Sequence, residues 1–180
     1  MTALALLREC EPLVDGSAAC YEITGAPGAP VVAVLGGISA SKHVTSSASD
    51  PRQGWWEEVV GEGRAIDTKK FRVISIDYLT HVKGSPPVTT EDQARGLGRA
   101  LDELGIDRLQ AVVGASYGGM VALAFGAAFP ARADRLIVIG AAHESDPMAT
   151  ALRHLQRRVV ELGTAVGRER DGLASPAGSR

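Results

Sequence analysis

The sequence predicts an α/β fold with a mostly parallel sheet, and three observations predict it. Apolar, β-branched runs recur at 31–35, 71–77, 109–113 and 135–140. The segments between them are long or helical in pattern, which parallel neighbours require because a tight hairpin joins only antiparallel strands. A Gly-rich turn at 114–119 joins the third run directly to an Ala-rich stretch.

Taken in order, 19–24 reads as a short strand and 25–30, Gly-Ala-Pro-Gly-Ala-Pro, as a turn cluster. The run 31–35 is apolar throughout and ends in Gly36-Gly37, the pattern of a strand buried on both faces and hence central. Residues 39–70 form a long excursion, polar and Ser-rich at first, apolar on one side over 54–60 where a short helix is expected, then polar again. An excursion of this length is functional or covering rather than a linker. After the strand at 71–77, Thr90 followed by Gln93 reads as a capping box, with Glu91 and Asp92 favourably placed at the positive end of the helix dipole. That helix is expected to reach Leu104, where Gly105 stops it, with Ala94, Leu97, Leu101 and Leu104 on one face. The strand at 109–113 leads to a helix over 117–129 ended by Pro130, and the strand at 135–140 follows. Asp146-Pro147 supplies an N-cap and a first-turn proline for a helix to about Leu162. These elements make 1–163 one partial domain, with 147–162 opening a helical region, and 164–180 lacks periodicity and reads as a disordered tail.

Composition narrows the function. The 180 residues carry 19 Lys+Arg against 21 Asp+Glu, a net charge of −2, so the basic stripe of a phosphate-neutralising nucleic-acid binder is missing. Cys10 and Cys20 have no C-x-x-C spacing and read as reduced, idle thiols. The apolar run 3–7 meets Arg8 and Glu9 at once, so no export signal is legible and a cytoplasmic location is expected. The uncharged stretch 109–129 is long enough to cross a bilayer, but it is β-branched in its first part and Ala-rich in its second. A buried strand turning into a buried helix explains that pattern, and no membrane partner is expected. His43 and His81 form no ligand spacing, so no metal site is expected either.

The chemistry concentrates in Gly114-Ala115-Ser116-Tyr117-Gly118, a G-x-S-x-G pattern between a strand and a helix. Such a turn lifts the serine hydroxyl above the sheet, and the flanking glycines let neighbouring backbone pass close by. It also sets the Tyr117 N–H at a helix N-terminus, where it can donate to a developing oxyanion. A second donor is expected from the loop after the 31–35 strand, at Gly36 or Leu35. A triad would need an acid and then a histidine later in the chain. His143 comes too early and His154 lies on a helix beside Arg153, while Asp134 and Asp146 read as strand-entry and cap residues. The residues therefore offer a nucleophile without a general base.

Val34-Leu-Gly-Gly, Gly54-Trp-Trp, Ala65-Ile-Asp-Thr68, Phe71-Arg-Val-Ile, Gly114-Ala-Ser-Tyr-Gly-Gly-Met120, Ala142-His143 and Pro147-Met148 together resemble the homoserine O-acyltransferases, over roughly 19–163. The resemblance implies an α/β-hydrolase-type sheet with helices on both faces, of which this is the N-terminal portion, 147–162 beginning a lid-like region. It implies that Ser116 takes an acyl group from acetyl-CoA or succinyl-CoA, with no bound cofactor, and passes it to homoserine in methionine biosynthesis. Arg157, in Leu155-Gln-Arg-Arg-Val, matches a substrate-facing arginine. Ala115 and Tyr117 depart from many acetyltransferases of the family and suggest a succinyl-using or serine-using branch. Members are about twice as long, are expected to be homodimers, and carry the acid and histidine in their other half, so a truncated, inactive fragment is a further expectation. A serine esterase remains an alternative, because the same acyl-enzyme can be attacked by water.

Overall fold

The computed structural model describes residues 6–7, 19–80, 86–144 and 146–173, with 165–173 as backbone alone. Cys10, His81 and 174–180 lie outside the described residues. The chain divides into two compact units, Met1–His143 and Glu144–Arg180.

The first unit is built on a sheet of strands β1 (Leu6–Leu7), β2 (Tyr21–Gly25), β3 (Val31–Leu35), β6 (Arg72–Ile76), β7 (Ala111–Ala115) and β8 (Leu136–Ile139), in the order β1-β2-β6-β3-β7-β8. The four strands read from the apolar runs, β3, β6, β7 and β8, are mutually parallel, while β1 and β2 run antiparallel at one edge. Two short strands in the excursion, β4 (Val60–Gly61) and β5 (Ile66–Asp67), pair separately. Helix α1 (Thr90–Glu103) connects β6 to β7, and α2 (Tyr117–Ala128) connects β7 to β8. The uncharged stretch is thus a strand and a helix, and no helix among the described residues is long and apolar enough to cross a membrane.

Alternation along the strands divides the core. Val31, Ala33, Leu35, Ile74, Ile76 and Val112 face α1 and α2, where Leu97, Leu101, Val121 and Phe125 meet them. Val32, Val34, Val73 and Val113 face the other way, against Val44, Val60, Trp55 and Trp56 of the excursion. The two helices of this unit share one face, and the excursion covers the other. A strand with both faces covered has to be apolar at every position, which is why β3 reads as an unbroken apolar run.

Local details correct the sequence reading in places. The N-cap of α1 is Thr89, and its box partner is Asp92 rather than Gln93. Gln93 is buried and bonded to the main chain of Leu79, so it is not free to cap. The expected end at Leu104 holds, with Gly105 at φ +63°. Residues 55–59 form hydrogen-bonded turns instead of a helix, and Glu57 accepts from the Gly54 and Ser46 N–H groups, tying the segment to its own loop. Cys20 is buried and disulfide-bonded, which corrects the expectation of a reduced thiol; its partner lies outside the described residues.

In the second unit α3 spans Pro147–Leu173, so helical backbone continues past Leu162 into the segment 164–173 that had read as tail. Asp146 accepts from the Met148 and Ala149 N–H groups, the cap that Asp146-Pro147 suggests. Met148, Leu152, Leu155, Val159 and Leu162 are all more than half exposed on it. In the first unit, the described edge strand β8 likewise exposes Leu136, Ile137 and Ile139.

His43 pins the excursion to the sheet. Its Nδ1 lies 2.9 Å from the buried Glu22 carboxylate of β2, and its Nε2 lies 2.9 Å from the Arg52 carbonyl oxygen. Burial opposes the imidazolium, but the Arg52 carbonyl and the Glu22 and Asp50 carboxylates outweigh it, and the His43 pKa rises above 6.5. A raised pKa contributes stability that is complete below the unfolded-state value and is lost as pH rises through the folded-state value. The stability advantage of the wild type over His43→Gln should therefore be largest just below pH 6.5 and shrink at higher pH, as urea melts at several pH values would report. An advantage that grows with pH would contradict this.

Candidate active site

Strand order places the site. The chain goes from central β3 to β6 on one side and then returns through α1 to β7 on the other, so connections leave the ends of β3 and β7 in opposite directions. The crevice at such a switch point is the usual ligand site of an α/β sheet. Gly36 follows β3 there and Ser116 follows β7.

Ser116 has φ 54° and ψ −120° and is the one non-glycine residue with positive φ among the described residues. Such a conformation costs about 1–3 kcal/mol and persists only where its surroundings impose it. The Ser116 N–H donates to Ile139 of β8 at 2.9 Å, and the Ser116 carbonyl accepts from Gly119 at 3.0 Å. Ser116 is exposed.

The surrounding glycines are demanded by close approach. A Cβ on Gly114 would lie 2.2 Å from the Gly118 carbonyl oxygen, and one on Gly118 would lie 2.2 Å from that of Leu35. A Cβ on Gly119 would lie 2.6 Å from the Ala141 Cβ. All three exclude a side chain, so the elbow and the end of β3 pack as bare backbone, while Gly119 leaves room for the Ala141 methyl after β8. Across that contact the Gly118 N–H donates to the Gly36 carbonyl at 2.8 Å, holding the loop after β3 against the elbow. Gly36 is itself confined, since a Cβ there would meet Ala40 at 2.4 Å and the Trp55 ring at 2.8 Å.

The structure brings Ser116, Tyr117 and Gly36 together around one crevice. Tyr117 opens α2, where its N–H has no intrahelical acceptor and remains available beside Ser116. Ile38, Leu79, Pro87, Val88, Gln93 and Tyr117 line an adjoining cleft of about 330 Å³. Burial raises the Tyr117 pKa, partly offset by its hydrogen bond with Gln93, so the phenol is neutral in this cleft at ordinary pH. A larger cleft of about 720 Å³, lined by Ser46, Glu57 and Arg64 among others, contains no part of the elbow, so the strained serine outweighs volume in locating the site. Arg157 stands exposed on α3, in the second unit, whereas the groups described around Ser116 all come from the first. Of the histidines, His43 is engaged through both ring nitrogens, and His143 and His154 are exposed. Among the described residues no cluster of three or more His, Cys, Asp or Glu could hold a metal. Sequence reading missed Tyr78, whose buried hydroxyl reaches the Gly36 carbonyl; no spacing rule points to it.

A family profile described as alpha/beta hydrolase fold matches residues 30–164. Homoserine O-succinyltransferase of Xanthomonas campestris pv. campestris is 46% identical over 156 residues, covering 86% of this chain and 42% of that protein. Serine O-succinyltransferase of Emericella nidulans is 37% identical over 150 residues, covering 73% of this chain and 29% of that one. Among solved structures, esterase E22 superposes with a TM-score of 0.69 at 26% identity, covering 84% of this chain and 51% of that one. The chain thus spans less than half the length of these curated relatives.

Gly118→Ala tests the bare-backbone contact. Because the added Cβ meets backbone rather than a flexible side chain, a loss of about 3 kcal/mol or more is expected in denaturant melts. A melt within 1 kcal/mol of wild type, a surface-like value, would contradict the packing described.

Proposed function

The chain belongs to the alpha/beta hydrolase fold family, and from that premise we propose that it carries the nucleophile of an acyl-CoA-dependent acyltransferase acting on homoserine or serine. The observation that carries this reading is the exposed, strained Ser116 at the switch point, with the Tyr117 N–H beside it. In the first half-reaction the Ser116 hydroxyl loses its proton to a base and attacks the thioester carbonyl, and CoA departs with a proton as the C–S bond breaks. In the second, the amino acid's hydroxyl attacks the acyl-serine and the bond to Oγ breaks, returning a proton to Ser116. Both steps put negative charge on the carbonyl oxygen, and in this reading the Tyr117 N–H and the loop at Gly36 receive it.

Two relatives named as succinyltransferases favour succinyl-CoA over acetyl-CoA as donor, and their names supply the two candidate acceptors. Arg157 is proposed to face the amino-acid substrate, following the resemblance. In this reading the base belongs to the whole protein beyond the groups described, the apolar surfaces of β8 and α3 are covered there, and the whole enzyme is a cytoplasmic homodimer of methionine or sulfur amino-acid biosynthesis. The likeness to esterase E22 favours a second reading, in which water takes the acyl group instead.

Ser116→Ala in the whole protein should reduce CoA release from succinyl-CoA in the presence of homoserine or serine to background, a loss of about 10⁶-fold by the measure of other serine nucleophiles. Retained turnover would refute the assignment. Turnover of wild type that is indifferent to any acceptor amino acid would move the function to the esterase reading.

A further inference from the structure

The Gly36 carbonyl is held from two directions. The Gly118 N–H donates to it at 2.8 Å and the Tyr78 hydroxyl at 2.7 Å, which fills both lone pairs of the oxygen. Tyr78 follows β6 and is 9% exposed, and its ring meets that of Tyr117 edge-on, with centroids 4.9 Å apart and planes at 84°. Burial, with Tyr117 beside it, pushes the Tyr78 phenol well above the ordinary phenol range, so it remains a donor wherever the protein is folded.

The backbone beside Tyr78 is anchored in turn. Gln93 of α1, 2% exposed, accepts from the Leu79 N–H at 2.8 Å and donates to the Leu79 carbonyl at 2.9 Å. A continuous set of bonds therefore runs from α1 through Leu79 and Tyr78 to Gly36 and on to the elbow at Gly118.

A peptide between two glycines has the least intrinsic restraint of any in the chain. The Gly36–Gly37 peptide is such a one, and it borders the crevice into which Ser116 opens. In a planar trans peptide the carbonyl and the following N–H point in opposite directions, so holding the Gly36 oxygen also fixes the direction of the Gly37 N–H. Donors that stabilise an oxyanion act most strongly when they need no reorganisation as charge develops.

We propose that Tyr78 is a positioning residue for anion stabilisation, its hydroxyl locking the Gly36–Gly37 peptide so that the loop's N–H groups are preset for the acyl oxygen at Ser116. The proposal rests on the reading of Ser116 as acyl acceptor. It gives Tyr78 a role in rate rather than in substrate affinity, because the loop meets charge that exists only as the carbonyl is attacked.

The test is Tyr78→Phe in the whole protein, which keeps the ring against Tyr117 and removes the hydroxyl alone. Pre-steady-state CoA release from succinyl-CoA should slow by about tenfold to a hundredfold, less than or at the lower end of the loss of a direct oxyanion donor. KM for the thioester should stay within about twofold, and amide exchange at Gly118, whose N–H donates to the Gly36 carbonyl, should accelerate. An unchanged rate, a rise in KM matching the loss of kcat, unchanged exchange at Gly118, or loss of the cooperative melt would each overturn the proposal, the last by assigning the hydroxyl to folding alone. Ser116→Ala measured alongside separates the two readings. If it retains acyl transfer, the nucleophile assignment falls and the proposal with it; if it abolishes transfer while Tyr78→Phe behaves as wild type, only the positioning role falls.

Discussion

The structure depends on one contact, the bare-backbone approach of α2's first turn to the end of β3. Gly118 donates to the Gly36 carbonyl at 2.8 Å, and a Cβ on Gly118 would lie 2.2 Å from the Leu35 carbonyl. That proximity brings two loops from opposite sides of the switch point into one crevice. It also sustains the Ser116 dihedrals, since a residue at φ 54° relaxes unless its neighbours hold it. The glycine spacing is thus a packing requirement first, and the exposed hydroxyl is its consequence.

Around that contact each layer has a definable task. Core side chains of α1 and α2 set the helix positions on one face of the sheet, and Trp55, Trp56 and Val44 close the other. Polar ties then fix the excursion: His43 to Glu22, and Lys42 to Asp77, whose carboxylate receives both the Lys42 N–H and its ammonium at 2.8 Å. Trp55 completes the arrangement by donating from its indole to the Ser41 carbonyl while its ring abuts Gly36. The covering excursion and the loop after β3 are therefore mechanically continuous.

Much of this was legible in the residues because it is periodic or local. Strands buried on both faces announce themselves as unbroken apolar runs, and β3 and β7 did so; the elbow was legible because three glycines at fixed spacing around a serine have a steric cause. The turns at 55–59 were not legible, since Trp-Trp-Glu-Glu-Val-Val has helical amphipathicity, while in the structure the chain passes at once into β4 at Val60 and Glu57 is bonded to the distant Ser46 N–H. The cap is Thr89 rather than Thr90: two overlapping capping patterns, Thr89 with Asp92 and Thr90 with Gln93, stand in the sequence, and Gln93 is taken up by the Leu79 main chain. Tyr78 was invisible for the plainest reason: its partner Gly36 is distant in sequence, and nothing in either residue signals the other.

Acyl transfer to the strained Ser116, the step proposed above, leaves a covalent trace. The most direct measurement is to mix the whole protein with succinyl-CoA in the absence of acceptor, quench within the first turnover, and map the modified peptide by mass spectrometry. The account expects a succinyl ester on Ser116 that vanishes, with acylated amino acid appearing, when homoserine or serine is added before the quench. An acyl group on any other residue, or acylated product formed with Ser116 never modified, would contradict it.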